Sequence, residues 1–553
     1  MCSANLNADT TQINDSSTTM EQKSSQKTLP ALDVDESQLS AIETIDVKQI
    51  KLEGNTVFPS TELAEITQKF EGRNITADEL QSLKQALTRY YIDHGYVNSG
   101  AIIPDQKVNQ GIILIQLIEG KLSEMTIQGN QWLRTPYIAS RLSKSGKINE
   151  HPLNVNDLQA DLKLLKQDPL IANVNADIKP GIAKGTALLN VDVEEARPYH
   201  LAFLVNNHNS PSIGSYRGEI SAEHLNLTGW GDSLQGTYGL TEGVDDYLLH
   251  YQVPVTRWGT LIGISTDRTK SVIISDEFND LDIRNEIQTY ASEISHPFIK
   301  TLSDELLLGL KWEKRTSKMF CNNDPFSYPG SGTDKNGKMN LQVMRFSQQW
   351  VNRTYLEVFA VHSSINMGLN KLKQPTETIP STGNKEPKGK FIDWLGQFQW
   401  IRRLPWLESQ LISSLNLQLS NDPLVPIEKM AIGGSTTVRG YRENEFITDN
   451  GITGSVELRV PVIKWQIPRI SRTPQDGGVR LATFCDYGHG WNTQAKDPQP
   501  NEIYSLGLGV LIDINRDIHA DMYWAKGLKD VIKPSEYDLQ DDGFHFEITA
   551  QLF

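Results

Sequence analysis

Two short runs hold residues whose types could act together. Ile432-Gly433-Gly434-Ser435-Thr436-Thr437-Val438-Arg439-Gly440-Tyr441-Arg442 sets Arg439 among small and β-branched neighbours instead of other charges. Its glycines permit positive φ and close backbone approach. Phe484-Cys485-Asp486-Tyr487-Gly488-His489-Gly490 sets a carboxylate, Asp486, at the end of a strand-like run. A guanidinium folded toward a carboxylate can form a charge-assisted pair with two parallel hydrogen bonds. On composition alone the first run reads equally as an exposed loop with a solvated arginine. The second could be an unremarkable polar position on a strand.

Catalytic signatures are otherwise missing. Gly332-Thr333-Asp334-Lys335-Asn336-Gly337-Lys338 has phosphate-loop spacing, but Met339 stands where a magnesium-binding hydroxyl belongs and no strand-to-helix context surrounds it. Gly507-Leu508-Gly509 is too short for a dinucleotide fingerprint. No Gly-x-Ser-x-Gly or His-Glu-x-x-His motif occurs, and the 11 histidines are scattered. Cys2, Cys321 and Cys485 are too far apart for metal-ligand spacing or a disulfide framework. The expectation is therefore no enzyme, no cofactor and no metal.

The elements that must position the two runs change character along the chain. Residues 1–42 are rich in Ser, Thr, Gln, Asn and Asp, which cannot bury enough apolar surface to offset ordering entropy, so a flexible tail is expected. Thr76-Ala77-Asp78-Glu79 is a capping-box pattern, followed by Leu80, Leu83, Leu87, Tyr90 and Tyr91 at helical spacing and stopped by Gly95. Alternation over 111–120 predicts a strand. The same grammar then returns. Ile50-Lys51-Leu52-Glu53-Gly54-Asn55 is echoed 75 residues later by Met125-Thr126-Ile127-Gln128-Gly129-Asn130, and Asp78-Glu79-Leu80-Gln81 by Asn156-Asp157-Leu158-Gln159. The second helix carries Leu158, Leu162 and Leu165 and stops at Asp168-Pro169, and a strand near 187–194 closes the unit. Each repeat reads β-α-α-β-β.

Beyond Arg197 the helical signal vanishes and segments of about ten residues alternate in polarity, among them 215–227, 246–254, 341–350, 410–419, 454–460 and 544–552. With weaker ones they number about 16, an even count as single-chain outer-membrane barrels require. Short connections, read at 229–232 and 352–353, alternate with long polar ones at 321–338, 371–390 and 421–446. Trp230, Trp258, Trp350, Trp394, Trp400, Trp406, Trp491 and Trp524 near strand ends suit interfacial girdles. A water-soluble all-β protein is the alternative for any single segment. The count and the loop asymmetry favour a barrel.

Composition agrees once averaging is allowed for. The 553 residues carry 53 Lys and Arg against 68 Asp and Glu, a net charge of −15, and a mean hydropathy of −0.40. No apolar run approaches the roughly 18 residues of a membrane helix. No basic cluster exists to neutralise phosphates, which excludes nucleic acid as the main partner. The N-terminus, Met1-Cys2-Ser3-Ala4-Asn5-Leu6, lacks a basic n-region and an apolar h-region, so no secretory signal is read, and an exported protein would have had its leader removed or never included.

These motifs, in this order, resemble the outer-membrane transporters of two-partner secretion, also called hemolysin activation/secretion proteins. Val438-Arg439-Gly440-Tyr441 looks like the hallmark tetrad of that family's sixth outer loop. Phe484, Asp486 and Gly488 look like the barrel-wall motif its arginine engages. Residues 226–232 and Tyr251-Gln252-Val253-Pro254 resemble early barrel segments. The likeness covers about 45–553 and implies two α+β POTRA domains followed by a transmembrane antiparallel β-barrel of about 16 strands. The expected division is tail 1–42, POTRA 1 at 43–120, POTRA 2 at 121–196 and barrel at 197–553. It implies that the periplasmic POTRA domains bind the N-terminal secretion domain of a large unfolded exoprotein, which threads the lumen of a Gram-negative outer-membrane barrel without ATP. Implied partners are that exoprotein, outer-membrane lipid and the barrel-assembly machinery, with the transporter itself monomeric. The tail shows no clear amphipathic period, unlike the family's plug helix, and terminal Phe553 is out of phase with the usual assembly signal. A barrel-assembly factor and a surface receptor are the alternatives. Two repeats instead of a longer string weigh against the first, and loops poor in aromatics against the second.

Overall fold

The computed structural model describes residues 44–142, 151–328, 330–372, 387–468 and 476–552. The expectations for the tail, for a plug within it and for terminal Phe553 lie outside the described residues. Packing divides the chain into two compact units. Of the described residues, one takes 44–125, 151–158 and 178–189, and the other takes 126–142, 159–177 and those from 190 onward.

The first repeat runs β1 (Ile45–Val47), β2 (Gln49–Glu53), α1 (Ser60–Thr67), β3 (Arg73–Ile75), α2 (Ala77–Asp93), β4 (Gly100–Ile102) and β5 (Ile112–Ile118). The expected β-α-α-β-β order is present, with β1 and β3 added as a small pair of their own. Strand β5 is central, parallel to β2 and antiparallel to β4. Helix α2 starts where the capping box placed it: the Glu79 amide donates to Thr76 Oγ1 at 3.2 Å, and the Thr76 amide donates to Glu79 Oε2 at 2.9 Å. Its Leu80, Leu83, Leu87 and Tyr91 are buried with Ile113, Ile115 and Leu117 of β5. Each such side chain contributes roughly 1.5–3 kcal/mol through apolar burial.

The second repeat has β6 (Lys121–Gln128), α3 (Thr135–Leu142), α4 (Val155–Lys166), β7 (Ile171–Pro180) and β8 (Thr186–Glu195), with sheet order β6-β8-β7. The repeated Gly-Asn pair now has a cause. A side chain at Gly54 would put its Cβ 2.3 Å from the Leu117 carbonyl oxygen, and one at Gly129 would put it 2.2 Å from that of Val193. Both glycines also have positive φ, which a side chain resists. The following asparagines donate to the carbonyls of Phe58 and Leu133, at 2.6 and 2.8 Å. A carboxylate then closes each turn: Glu119 accepts from the amides of Thr56 and Val57, and Glu195 from those of Trp132 and Leu133. Tyr91 donates to Glu119 at 3.0 Å, and burial raises its phenol pKa.

Among the described residues, from Tyr199 onward sixteen antiparallel strands of eight residues or more, with the two-residue Asp324–Pro325 paired to the end of one of them, close into a barrel, the last (Phe544–Gln551) pairing with the first (Tyr199–Asn206) from Glu547↔Asn206 to Gln551↔Ala202. The strands run from 8 to 18 residues. Along the fourteenth strand (Glu502–Asp513) Leu506, Leu508 and Val510 are exposed while Ser505 and Leu511 are buried, the period-two pattern of a wall with two faces. The outward set is apolar, as in a barrel surrounded by lipid, while the inward set on this strand is mixed, with Leu511 beside Ser505. No helix among the described residues is long and apolar enough to cross a membrane.

Connections alternate between two rims. Among the described residues, one rim carries the turns 255–260, 301–303, 354–356, 404–409 and 514–517, and the other carries 322–328, 330–337, 369–372, 387–391, 421–449 and 528–543. The turn read at 352–353 is displaced. Asn352 and Arg353 still pair with Phe359 and Val358, because the eighth strand (Lys338–Arg353) runs two residues past its apolar pattern, and the reversal falls at 354–356. Asn226 and Asp232 build the first turn: Asn226 Oδ1 accepts from the Gly231 amide at 3.0 Å, and Asp232 Oδ1 from the Thr228 amide at 2.8 Å. Tyr251 donates to Asp232 at 3.0 Å, so two of the early segments singled out in the sequence meet.

Candidate functional site

The 421–449 connection leaves the eleventh strand (Gln410–Ser420) and returns as the twelfth (Asn450–Trp465). Within it Met430–Ile432 pairs with Phe446–Thr448 as a small hairpin. Gly433 and Gly434 have φ near +107° and +101°, which lets the chain leave the hairpin in a tight turn. Gly434 N donates to the Val438 carbonyl at 3.0 Å, and Gly433 N to Thr437 Oγ1 at 2.9 Å. This turn delivers Arg439.

Arg439 is buried inside the barrel wall. Its Nε donates to Asp486 Oδ2 at 2.8 Å and its Nη2 to Asp486 Oδ1 at 2.9 Å, the two-pronged fork, while its own amide also donates to Oδ2 at 3.0 Å. Asp486 lies on the thirteenth strand (Gly477–Trp491). A second carboxylate completes the neutralisation: Arg439 Nη1 donates to Glu457 Oε2 at 2.5 Å. Ser455 accepts from Nη2 at 3.1 Å and donates to Asp486 Oδ1 at 2.6 Å. The guanidinium carbon stands 3.3 Å from the Phe484 ring centre and 4.8 Å from that of Tyr523, so aromatic faces shield it from water. In such a dry setting removing one partner leaves an uncompensated charge, at a cost of about 3–5 kcal/mol.

The other residues read from the sequence have distinct places in this seat. Val438 is buried with Ile432 and Tyr441 in an apolar cluster. Gly488 makes room for it, since a Cβ there would lie 2.6 Å from Ile432 Cγ2 and 2.8 Å from Val438 Cγ2. Gly440 has φ +90° and passes so close to Ala525 that a Cβ would stand 2.9 Å from its carbonyl oxygen. Tyr441 donates to the Tyr504 carbonyl at 3.0 Å and accepts from the Lys529 amide at 3.0 Å. The structure thus brings Val438, Arg439, Gly440 and Tyr441 together with Phe484, Asp486 and Gly488.

Sequence reasoning missed Glu457, Ser455 and Tyr523, and the flank that follows the tetrad. Arg442 forks onto Asp541, both bonds at 2.6 Å, and the Glu443 amide donates to Gln540 at 2.8 Å. Glu443 itself accepts from Ser435 N at 2.6 Å, and burial raises its carboxyl pKa. A signal for Glu457 existed: Glu457 and Arg459 alternate with Val456, Leu458 and Val460. That pattern puts two charges on the lumen side of a strand, where they need partners.

With this geometry established, comparison with known proteins decides the family. The family model for haemolysin secretion/activation proteins ShlB/FhaC/HecB matches residues 185–512, more than half of the chain. The chain belongs to this family. A ShlB-type POTRA model matches residues 45–120. Among curated relatives, the outer membrane transporter CdiB of Dickeya dadantii is 22% identical over 475 residues, covering 84% of this chain and 80% of its own length. The haem/haemopexin transporter protein HuxB of Haemophilus influenzae (strain ATCC 51907 / DSM 11121 / KW20 / Rd) is 21% identical over 454 residues, 80% of this chain and 76% of its own. The solved structure of CdiB from Escherichia coli superposes with a TM-score of 0.65 at 16% identity, covering 95% of this chain and 93% of that one, which shows a shared fold. As a member of the family, the chain is an outer-membrane transporter of the two-partner secretion type.

Proposed function

We propose that residues 43–120 and 121–196 act as two periplasmic POTRA domains, and that residues 197–553 form the conduit through which they pass their cargo. The cargo is a large unfolded exoprotein, which the POTRA domains capture by its N-terminal secretion domain. Sheet edges support capture by strand addition: β7 borders its sheet and is largely exposed along its ten residues. Transport without ATP fits a chain whose one run with phosphate-loop spacing, 332–338, is followed by Met339 in place of a magnesium-binding hydroxyl. Insertion would rely on barrel-assembly machinery and surrounding lipid, and one copy suffices because the barrel closes on itself.

The observation that carries the reading is the buried fork between Arg439 and Asp486 inside a closed sixteen-strand wall. In this reading Val438, Arg439, Gly440 and Tyr441 are a latch, and Phe484, Asp486 and Gly488 are its seat. The latch holds the 421–449 loop in the conformation that transport requires. Arg439→Ala is expected to leave a heat-modifiable barrel in the outer membrane while export of the co-expressed exoprotein encoded beside it falls severely. Full export by that variant, measured in culture supernatant, would remove the latch role.

A further inference from the structure

The same loop is fastened a second time, by a charge of the opposite sign. Pro426–Glu428 forms a single 3-10 turn near the loop's start, and Glu428 is 8% exposed. Its Oε1 accepts from Arg315 Nη1 at 2.9 Å, and its two oxygens accept from Arg345 Nη2 at 3.0 and 2.9 Å. Arg315 lies on the seventh strand (Asp304–Cys321) and Arg345 on the eighth. Both arginines also hold Glu313, at 3.0 and 2.9 Å, as does Lys311 at 3.0 Å, so three cations share two carboxylates. Leu424 and Val425 sit beside this cluster, buried against Met339, Leu341 and Val343 of the eighth strand. The seat of Arg439 is on the twelfth and thirteenth strands, five strands further round a ring of sixteen. The loop is therefore tied to two separated arcs of the wall and crosses the lumen between them.

The two ties differ in what release would leave behind. If Glu428 departs, Arg315 and Arg345, with Lys311, keep Glu313 as a shared counter-charge. If Arg439 departs, Glu457 keeps Arg459 but Asp486 keeps only the Ser455 hydroxyl. Asp486, 1% exposed, would be a buried carboxylate without a cation, which is costly, whereas Arg315, Arg345 and Lys311 are 17, 19 and 29% exposed and keep a carboxylate among them. The residues next to Arg439 are also bonded to the last loop through Tyr441, Arg442 and Glu443, and would have to detach together.

We propose that Glu428, Arg315 and Arg345 form a releasable lock, and that the loop clears the lumen by leaving this end while Arg439 stays seated as the pivot. Glu428 is thus a positioning residue of opposite role to Arg439: it favours the closed pore, where Arg439 favours the transporting one. The inference rests on reading the barrel as a conducting pore, and export of the exoprotein by the unaltered chain tests that reading separately.

The test uses the full chain in planar lipid bilayers and, in parallel, in cells. Glu428→Gln keeps the shape of the side chain and removes its charge. Time-averaged conductance is expected to rise about tenfold, equivalent to about 1.4 kcal/mol of lost closed-state preference, with export retained. The charge exchange Glu428→Arg with Arg345→Glu is expected to bring conductance back toward the original level, which a loss of packing alone would not allow. If Glu428→Gln does not yield a heat-modifiable barrel, Arg345→Gln is read from the wall side with the same expectation. Unchanged conductance, no recovery in the exchange, or loss of export matching that of Arg439→Ala would overturn the lock.

Discussion

The first repeat and the barrel solve opposite problems with the same twenty side chains. In the repeat, Leu83, Leu87, Tyr91, Ile113 and Ile115 are fully buried, and its charges lie outside. In the barrel, Leu506, Leu508, Tyr487 and Trp524 face outward while Arg345, Glu313, Arg439, Glu457 and Asp486 are enclosed. The repeat is held by apolar burial, which is non-directional and cannot be switched off by a passing chain. The lumen is held by paired charges, whose net contribution is small because desolvation offsets attraction. An interior of that kind can exchange partners. That difference suits a scaffold that must stay folded and a conduit that must change its contents.

The comparison can be broken at graded points. Leu87→Ala should destabilise the first repeat by about 2–5 kcal/mol through a cavity, seen as faster amide exchange across α2 and β5 of the intact chain, with barrel heat-modifiability untouched. Equal loss of protection in the barrel would show the two regions fold as one. Leu508→Lys, on the outer face of the fourteenth strand, should cost about 2–4 kcal/mol in urea unfolding from lipid vesicles. A value near zero would mean that this face does not meet hydrocarbon. The smallest effect belongs to Thr76→Ala, which removes one half of the α2 cap and should cost about 1 kcal/mol, read as fraying limited to the first turn.

Sequence made the architecture legible where a pattern is local. The capping box at Thr76 and Glu79, the Gly-Asn turns 75 residues apart, and period-two alternation each depend on neighbours a few positions away. The early segments meeting at Asp232 and Tyr251 were visible as motifs without their bond. Where the pattern ran out, placement slipped: Asn352 and Arg353 remain in the ladder because backbone pairing, and not apolarity, ends a strand. Arg439 and Asp486 could be coupled from residue type and setting. Glu457 and Tyr523 could not be assigned to the same guanidinium, since only strand register aligns the lumen side chains of the twelfth, thirteenth and fifteenth strands.

The amino-acid order by itself determined the kinds of element: two repeats with their Gly-Asn turns and one helix cap, about sixteen alternating strands, and a glycine-framed arginine with a strand carboxylate. These follow from steric and hydrogen-bond rules acting within a few residues. Tertiary structure decided which charges share a bond. Glu428 finds Arg345, 83 residues away in sequence, and Arg315, 113 away, only because barrel closure and shear bring their strands under the loop's root. Coulomb pairing has no sequence period, so the second fastening of the loop appears only when the wall is closed around it.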